Sequence, residues 1–240
     1  TSMPIITYLN PDTDGDGVPD TFDEFPSDPA RAFISHFPGE NSYGTLAYED
    51  LWPATGDYDF NDLVVKYNFT QITNGSNEVV QINPSFIPVA AGANLNAGFG
   101  FQLDNIMAGA VESVTGTHLV KNYISLDPNG TEAGQSNAVI IVFDKAFSLF
   151  NNITGVNPNG MAPVNTVPGG KTGEPVTVAM EIIFSNPLSS AEVGLAPFNP
   201  FIFVNYERGH EIHLSDYVPT DLVDESIFGT RNDNSNPNSG

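Results

Sequence analysis

Residues 12–23 read Asp12-Thr13-Asp14-Gly15-Asp16-Gly17-Val18-Pro19-Asp20-Thr21-Phe22-Asp23, with carboxylates at positions 1, 3, 5, 9 and 12 and glycine at position 6. Calcium takes six to eight hard oxygen ligands, and a chain that wraps once around the ion supplies them at this spacing. Gly17 permits the sharp turn, and the Val18 carbonyl falls where a backbone ligand is needed. The expected calcium ligands are therefore Asp12, Asp14, Asp16, Val18, Asp20 and Asp23. Two features separate the loop from a sensor EF-hand. Pro19 has no N–H with which to pair a second loop, and no amphipathic helix flanks it.

A second acidic stretch, Glu49-Asp50-Leu51-Trp52-Pro53-Ala54-Thr55-Gly56-Asp57-Tyr58-Asp59-Phe60-Asn61-Asp62, runs into the apolar Leu63-Val64-Val65. If the stretch is extended, Asp57, Asp59 and Asn61 project to one side while Tyr58 and Phe60 enter the core. Three oxygen-bearing side chains on one edge predict a cation site, with Glu49, Asp50 and Asp62 available to complete its shell. Trp52 is expected beneath it. Two alternatives remain: a carboxylate pair for glycoside hydrolysis and a plain acidic turn. The hydrolase reading needs two carboxylates at a defined separation across a cleft, whereas here several crowd together.

Elsewhere the chemistry-bearing residues are sparse. His210-Glu211-Ile212-His213 lacks the spacing of the His-Glu-x-x-His zinc motif, and on a strand its histidines face opposite ways. Arg208, one of three arginines, is expected to pair with a carboxylate of the protein or to hold a ligand carboxylate. Asp59, Arg208 and His210 are the candidate ligand contacts. Asp216, Asp221, Asp224 and Glu225 form a third acidic group, read as a solvated loop with a further cation site as the alternative. No nucleophile elbow or phosphate-binding glycine loop is present, and no catalytic residue is assigned.

The remaining pattern must position these groups, and it is that of strands. Leu95, Ala97, Phe99, Phe101 and Leu103 alternate with polar or glycine positions, leaving Gly98 and Gly100 where another backbone or a ligand can approach. Val176–Phe184 and Leu63–Phe69 alternate too. Ala138–Phe143 is continuously apolar, as in a strand buried on both faces. Phe201–Val204 and Glu211–Leu214 add two more strands, and no segment keeps a helical period for three turns. The expected fold is all-β, a jelly-roll-like β-sandwich with an N-terminal calcium-binding loop segment and long surface loops. Residues 155–174, rich in Gly, Pro and Asn, form the longest of those loops. The expected division is residues 1–32 for the calcium segment, 33–232 for the sandwich and 233–240 for a flexible tail.

Composition narrows the partners. Among 240 residues, 29 are acidic and 7 basic, for a net charge of -22. Such a chain repels nucleic acid and anionic membrane surfaces, so membrane association is expected only through parts outside these residues. Cysteine is absent, which removes disulfides, thiolate metal sites and thiol nucleophiles. No apolar run is long enough to span a bilayer, and Thr1–Pro4 shows no signal-peptide pattern. The acid is uneven: residues 1–62 hold 13 of the 29 carboxylates and only one base, Arg31. That concentration implies local neutralisation by cations.

The Asp-Gly-Val-Pro-Asp run at 16–20 and the trailing Phe25-Pro26-Ser27-Asp28-Pro29 resemble a thrombospondin type 3 calcium repeat, in which calcium acts as a rigid staple. The sequence Asp57-Tyr58-Asp59-Phe60-Asn61-Asp62-Leu63-Val64-Val65 is similar to the LruC domain family of bacterial surface and secreted proteins. So are Gly98–Leu103, Asn199–Ile202, Arg208–Leu214 and Pro219–Asp221. The resemblance spans about residues 33–232 and implies an extracellular β-rich module without assigned catalytic residues. A related acidic edge in calcium-dependent modules of bacterial adhesins is an analogy only. The functional expectation is an extracellular or cell-surface, non-enzymatic, calcium-dependent adhesion or recognition module for a glycan, peptide or surface protein. A calcium-rigidified spacer and an extracellular carbohydrate-active hydrolase are the alternatives.

Overall fold

A computed structural model describes residues 10–92, 95–157, 163–231 and 235–238. Residues 1–9 of the expected calcium segment, 158–162 of the long loop and half of the expected tail (233, 234, 239 and 240) lie outside these. Thirteen strands follow one another: β1 (Phe33–Phe37), β2 (Gly44–Tyr48), β3 (Leu63–Thr73), β4 (Val79–Ala91), β5 (Ala97–Met107), β6 (Val111–Thr115), β7 (Asn137–Phe143), β8 (Phe150–Thr154), β9 (Thr172–Pro175), β10 (Val178–Ala179), β11 (Glu181–Leu188), β12 (Asn199–Val204) and β13 (Glu207–His213). The expected β-sandwich is present. One sheet runs β1-β3-β4-β11-β6, with β2 also on β3 and β10 also on β4; the other runs β13-β12-β5-β7. All of these pairings are antiparallel. A separate ribbon joins β8 to β9.

Alternation puts the apolar faces of both sheets together. Leu63, Val65, Phe69 and Phe86 of the larger sheet meet Phe99, Phe101, Ile140 and Ile202 of the smaller. Phe69 contacts Phe86, Phe101 and Phe198 edge-on at centroid distances of 5.1–5.6 Å, a favoured aromatic geometry. The run Ala138–Phe143 is fully buried, as expected. Ala138, Ile140 and Val142 face the sandwich interior. Val139 and Ile141 join Phe201 and Phe203 on the outer face, where Leu119, Tyr123 and Ile124 cover them.

Gly98 and Gly100 lie on that outer face; the close neighbour of Gly98 is aromatic, while Gly100 meets the Ile140 carbonyl, 2.9 Å from where its Cβ would be, as well as a ring. A Cβ on Gly98 would stand 2.1 Å from the Phe203 ring, and one on Gly100 would stand 3.2 Å from Phe201. Phe203 and Phe201 are their cross-strand partners, and the Phe203 ring folds into the space Gly98 leaves. The expected single strand 176–184 is interrupted at Met180. There β10 ends and β11 begins along the edge of β4, and the Met180 N–H donates to the Pro84 carbonyl at 2.9 Å.

Two features position the acidic segments. The N–H of Ala32 donates to the Thr73 carbonyl at 2.7 Å, tying the N-terminal segment to the end of β3. Strands β1 and β2 occupy successive stretches of the same β3 edge, so residues 49–62 form the connection of the β2–β3 hairpin.

Gly98→Ala should lower stability by about 1–3 kcal/mol in urea unfolding, because the fully buried Phe203 ring has nowhere to move. Retention of full stability would contradict this packing.

Candidate metal centre

In the N-terminal loop each aspartate captures the backbone just ahead of it. Asp12 accepts from the Gly15 N–H at 2.8 Å and the Gly17 N–H at 3.2 Å. Asp14 accepts from Asp16 N–H at 3.2 Å, and Asp16 from Val18 N–H at 2.7 Å. The left-handed backbone at Gly15 and Gly17 (φ 81° and 95°) closes the coil. One carboxylate oxygen each from Asp12, Asp14 and Asp16 thus falls within 4.8 Å of the others. Asp14 Oδ2 and Asp16 Oδ2 are buried without a hydrogen-bond partner.

Asp20 is turned elsewhere. Its two oxygens accept from the Thr13 N–H and hydroxyl, both at 2.7 Å, which locks the loop shut. Asp23 is buried, accepts from Phe25 N–H at 2.7 Å and keeps Oδ2 unpartnered. Val18 is buried as well, and its side chain and Asp16 pack on Gly75 in the β3–β4 turn. The loop is therefore seated on the sandwich.

At the β2–β3 connection the carboxylates converge by a different route from the one expected. The segment is not extended: Tyr58 and Phe60 both have left-handed backbone, with φ of 57° and 52°. Their rings are 64% and 52% exposed, so neither anchors the core. Bulky residues rarely adopt this conformation. Its alternation with Asp57 and Asp59 curls the chain around the acidic side chains, and Glu49 reaches in from the end of β2. Oxygens of Glu49, Asp57 and Asp59 come within 4.8 Å of one another. The Phe60 N–H donates to Glu49 Oε1 at 2.5 Å, while Glu49 Oε2 is buried without a partner. A Cβ on Gly56 would stand 2.4 Å from that oxygen, so Gly56 gives the carboxylate its room. Asn61 donates through Nδ2 to Asp59 Oδ2.

Asp50 and Asp62 sit at the base of the curl. The Asp50 N–H donates to Asp62 Oδ2 at 2.9 Å. Asp50 is only 2% exposed, and its Oδ2 has no partner. Burial, then the negative charge of Asp62 and a hydrogen bond between the two carboxyl groups, and after these the charge of Glu49, push its carboxyl up to about 7. Asp50, Asp57, Asp59, Asn61 and Asp62 line one cleft of about 560 Å³, whose far wall includes Pro163, Thr166 and Val167 of the long loop. Trp52 does not lie beneath this site. It packs edge-on against Phe228 at 5.0 Å, and its carbonyl meets His210 Nε2 at 2.5 Å. With Tyr58 and Phe60 it lines a second cleft of about 480 Å³ against Ile212–Ser215 of β13 and the residues that follow.

Arg208 is engaged within the protein. Its guanidinium grips Glu132 at 2.5 and 2.6 Å and also bonds Glu211. It lies over the rings of Phe201 and Phe203 at 5.0 and 5.3 Å. A register shift in β13 between its pairings with Phe203 and Val204 brings Arg208 onto the face of Glu211. Glu211 also accepts from Thr220 N–H at 2.9 Å and meets His213 Nε2 at 2.8 Å. Burial alone would raise its carboxyl. The His213 hydrogen bond and the Arg208 charge outweigh burial and hold it below its ordinary value of 4.5. Sequence reading missed Glu132, 76 residues from Arg208 in the chain. It also missed Asp144, fully buried, which accepts the N–H groups of Val120 and Lys121 at 2.9 and 2.6 Å. In the third acidic group, Asp221 accepts from Ser136 N–H at 2.6 Å and Asp224 from Ser226 N–H at 3.0 Å. Among the described residues, the only sets of three acidic or histidine ligands that converge are the two above.

The family described as Domain of unknown function (DUF4842) matches residues 77–240. The match begins after both acidic sites and covers β4 to β13. No curated protein matches the chain. Among solved structures, a crystal structure described as a "Putative lipoprotein from Bacteroides ovatus" is similar at 18% identity with a TM-score of 0.44. The similarity covers 78% of this chain and 57% of that one, so the chain spans less than two thirds of that relative.

Because the folded Glu211 carboxyl titrates below 4.5, its stabilisation is complete above that pH and is lost as pH falls through the lower folded value. Glu211→Gln should flatten this part of a stability-versus-pH profile. It should also cost about 1–3 kcal/mol at pH 7, since Arg208 and Thr220 lose the charge of the buried acceptor they share while Glu132 still pairs with Arg208.

Proposed function

The chain belongs to the DUF4842 family, and from that premise we propose that it is a non-catalytic, calcium-dependent recognition module of a bacterial exterior, with a glycan, peptide or surface protein as its ligand. The observation that carries this reading is the convergence of Glu49, Asp57 and Asp59 within 4.8 Å. They lie on a backbone held in an uncommon conformation, and an unpartnered Glu49 oxygen is buried among them. Hard, anionic, irregularly placed oxygens suit calcium better than the rigid octahedron of magnesium. The N-terminal loop, with Asp12, Asp14 and Asp16 gathered in the same manner, is a second calcium site of structural character. Calcium at these positions also accounts for an acidic chain that stays folded, and the resemblance to LruC domains supports the extracellular setting.

Ligand recognition is supported by the second cleft. Tyr58 and Phe60 hold their rings in solvent on the two flanks of Asp59 and share that cleft with Trp52. Exposed aromatic rings beside polar groups are the usual makings of a binding site. A calcium-rigidified spacer is the second reading, favoured by the seating of the N-terminal loop on Gly75. The hydrolase alternative is disfavoured by spacing. Glycosidase carboxyl pairs stand about 5–9.5 Å apart to admit a sugar or water, and these oxygens are closer.

Calcium at about 100 times its dissociation constant should stabilise each site by about 2.7 kcal/mol, read as a rise in melting temperature that chelator reverses. Asp57→Asn should remove most of the strand-edge share and Asp14→Asn most of the loop share. A melting temperature indifferent to chelator would sink the calcium reading. Glycan and peptide arrays probed with calcium and with chelator decide between recognition and spacer: calcium-dependent binding lost in the Tyr58→Ala/Phe60→Ala double variant supports recognition. Binding that survives chelation counts against it.

A further inference from the structure

The geometry points to a second cation at the strand edge, held by Asp50 and Asp62 beside the one held by Glu49, Asp57 and Asp59, so that residues 49–62 form a two-calcium site. This inference rests on the calcium reading above and extends it.

The two sets of carboxylates are separate in the structure. Glu49, Asp57 and Asp59 close on one another at the curl, whereas Asp50 and Asp62 join at its base, where the hairpin connection begins and ends. Asp50 is the most deeply buried carboxylate of the stretch, at 2% exposure, yet its Oδ2 meets no donor from the protein. A buried carboxylate normally collects two or three donors, as Asp144 does from Val120 and Lys121. The side chain of Asp50 instead meets the carboxyl group of Asp62, to which it hydrogen-bonds only by sharing a proton. Asp62 and Glu49 set their charges against it, and the cleft it lines is bounded by Asp57, Asp59, Asn61 and Asp62. Among the described residues, no lysine or arginine pairs with any of them. A buried carboxyl whose oxygen finds no N–H donor, in the wall of a cleft lined by other carboxylates, is an environment that a divalent cation neutralises and that a plain acidic surface does not need.

Asp50 and Asp62 share the cleft with Asp57 and Asp59 but fall outside the close grouping those two form with Glu49, so an ion of their own is assigned to them. Gly92 adds a constraint of its own. It forms part of the cleft wall, and a Cβ there would stand 2.1 Å from Asn61 Oδ1 and 2.3 Å from the Asn61 carbonyl. Its N–H donates to the Asp62 carbonyl at 2.9 Å. Gly92 thereby fixes the backbone at the point where the second ion is placed, and the remaining positions of a calcium shell are left to water.

The test counts ions. Calcium is titrated into the full chain carrying Asp14→Asn and Asp16→Asn, which silence the N-terminal loop, and the bound ions are counted by native mass spectrometry. Two are expected at the strand edge. Adding Asp50→Asn should leave one, and adding Asp57→Asn instead should remove at least the other. An unchanged count with Asp50→Asn overturns the second ion while leaving the calcium reading intact. No bound calcium in the loop-silenced parent overturns both. Thermal melting guards against a folding artefact. In chelator, Asp50→Asn should melt at or above the parent, because an amide sets no charge against Asp62 and Glu49; in calcium it should melt below it. A lower melting temperature in chelator, or one that is higher in both conditions, marks Asp50 as a purely structural or protonated carboxyl and overturns the proposal.

Discussion

Repulsion between carboxylates held closer than water would leave them is the constraint on which the acidic N-terminal quarter of the molecule depends. Two unit charges 4 Å apart near a protein surface repel by about 4 kcal/mol, and residues 49–62 contain five carboxylates with no base among them. The chain answers locally wherever backbone donors can be found: Phe60 N–H serves Glu49, and Asp50 N–H serves Asp62. In the N-terminal loop the answer is the same, with Gly15, Asp16, Gly17 and Val18 each turning an N–H toward an aspartate. Donors of this kind stabilise part of each anion, but several oxygens in both sites remain without any.

The opposite face of the smaller sheet meets charge in a contrasting way. There one guanidinium, stacked on Phe201 and Phe203, is shared between Glu132 and Glu211, and Thr220 and Gln135 fill the remaining positions. A buried charge network so fully satisfied fixes the arrangement of the loops around residues 131–136 and 218–222. Its charges are paired within the protein, whereas at the strand edge Glu49 Oε2 and Asp50 Oδ2 find no hydrogen-bond donor.

How far this was legible in the sequence follows from the range of each determinant. Alternation over Ala97–Leu103 and the apolar run 138–143 are local signals of burial, and both held because each reports the face on which its own side chains lie. The acidic spacing was legible for the same reason: Asp12, Asp14 and Asp16 sit two residues apart and meet, as do Asp57 and Asp59. The conformation that brings the second group together was not. Nothing in the propensity of Tyr or Phe announces left-handed backbone, so an extended reading sent Tyr58 and Phe60 into the core when they stand in solvent. Long-range partners were equally hidden. Glu132 finds Arg208 across 76 residues, helped by a local register shift in β13 that no periodicity reveals.

Because residues 49–62 connect two antiparallel neighbours, all their carboxylates become neighbours once a single short hairpin has closed. Closing so small a loop costs little entropy and takes far less time than pairing β5 with β12, whose partners lie about a hundred residues apart. On that count the hairpin is expected to close early, bringing its carboxylates together while most of the sandwich is still unformed. A cation captured at that stage would hold β2 against β3 and give the growing sheet its first fixed edge.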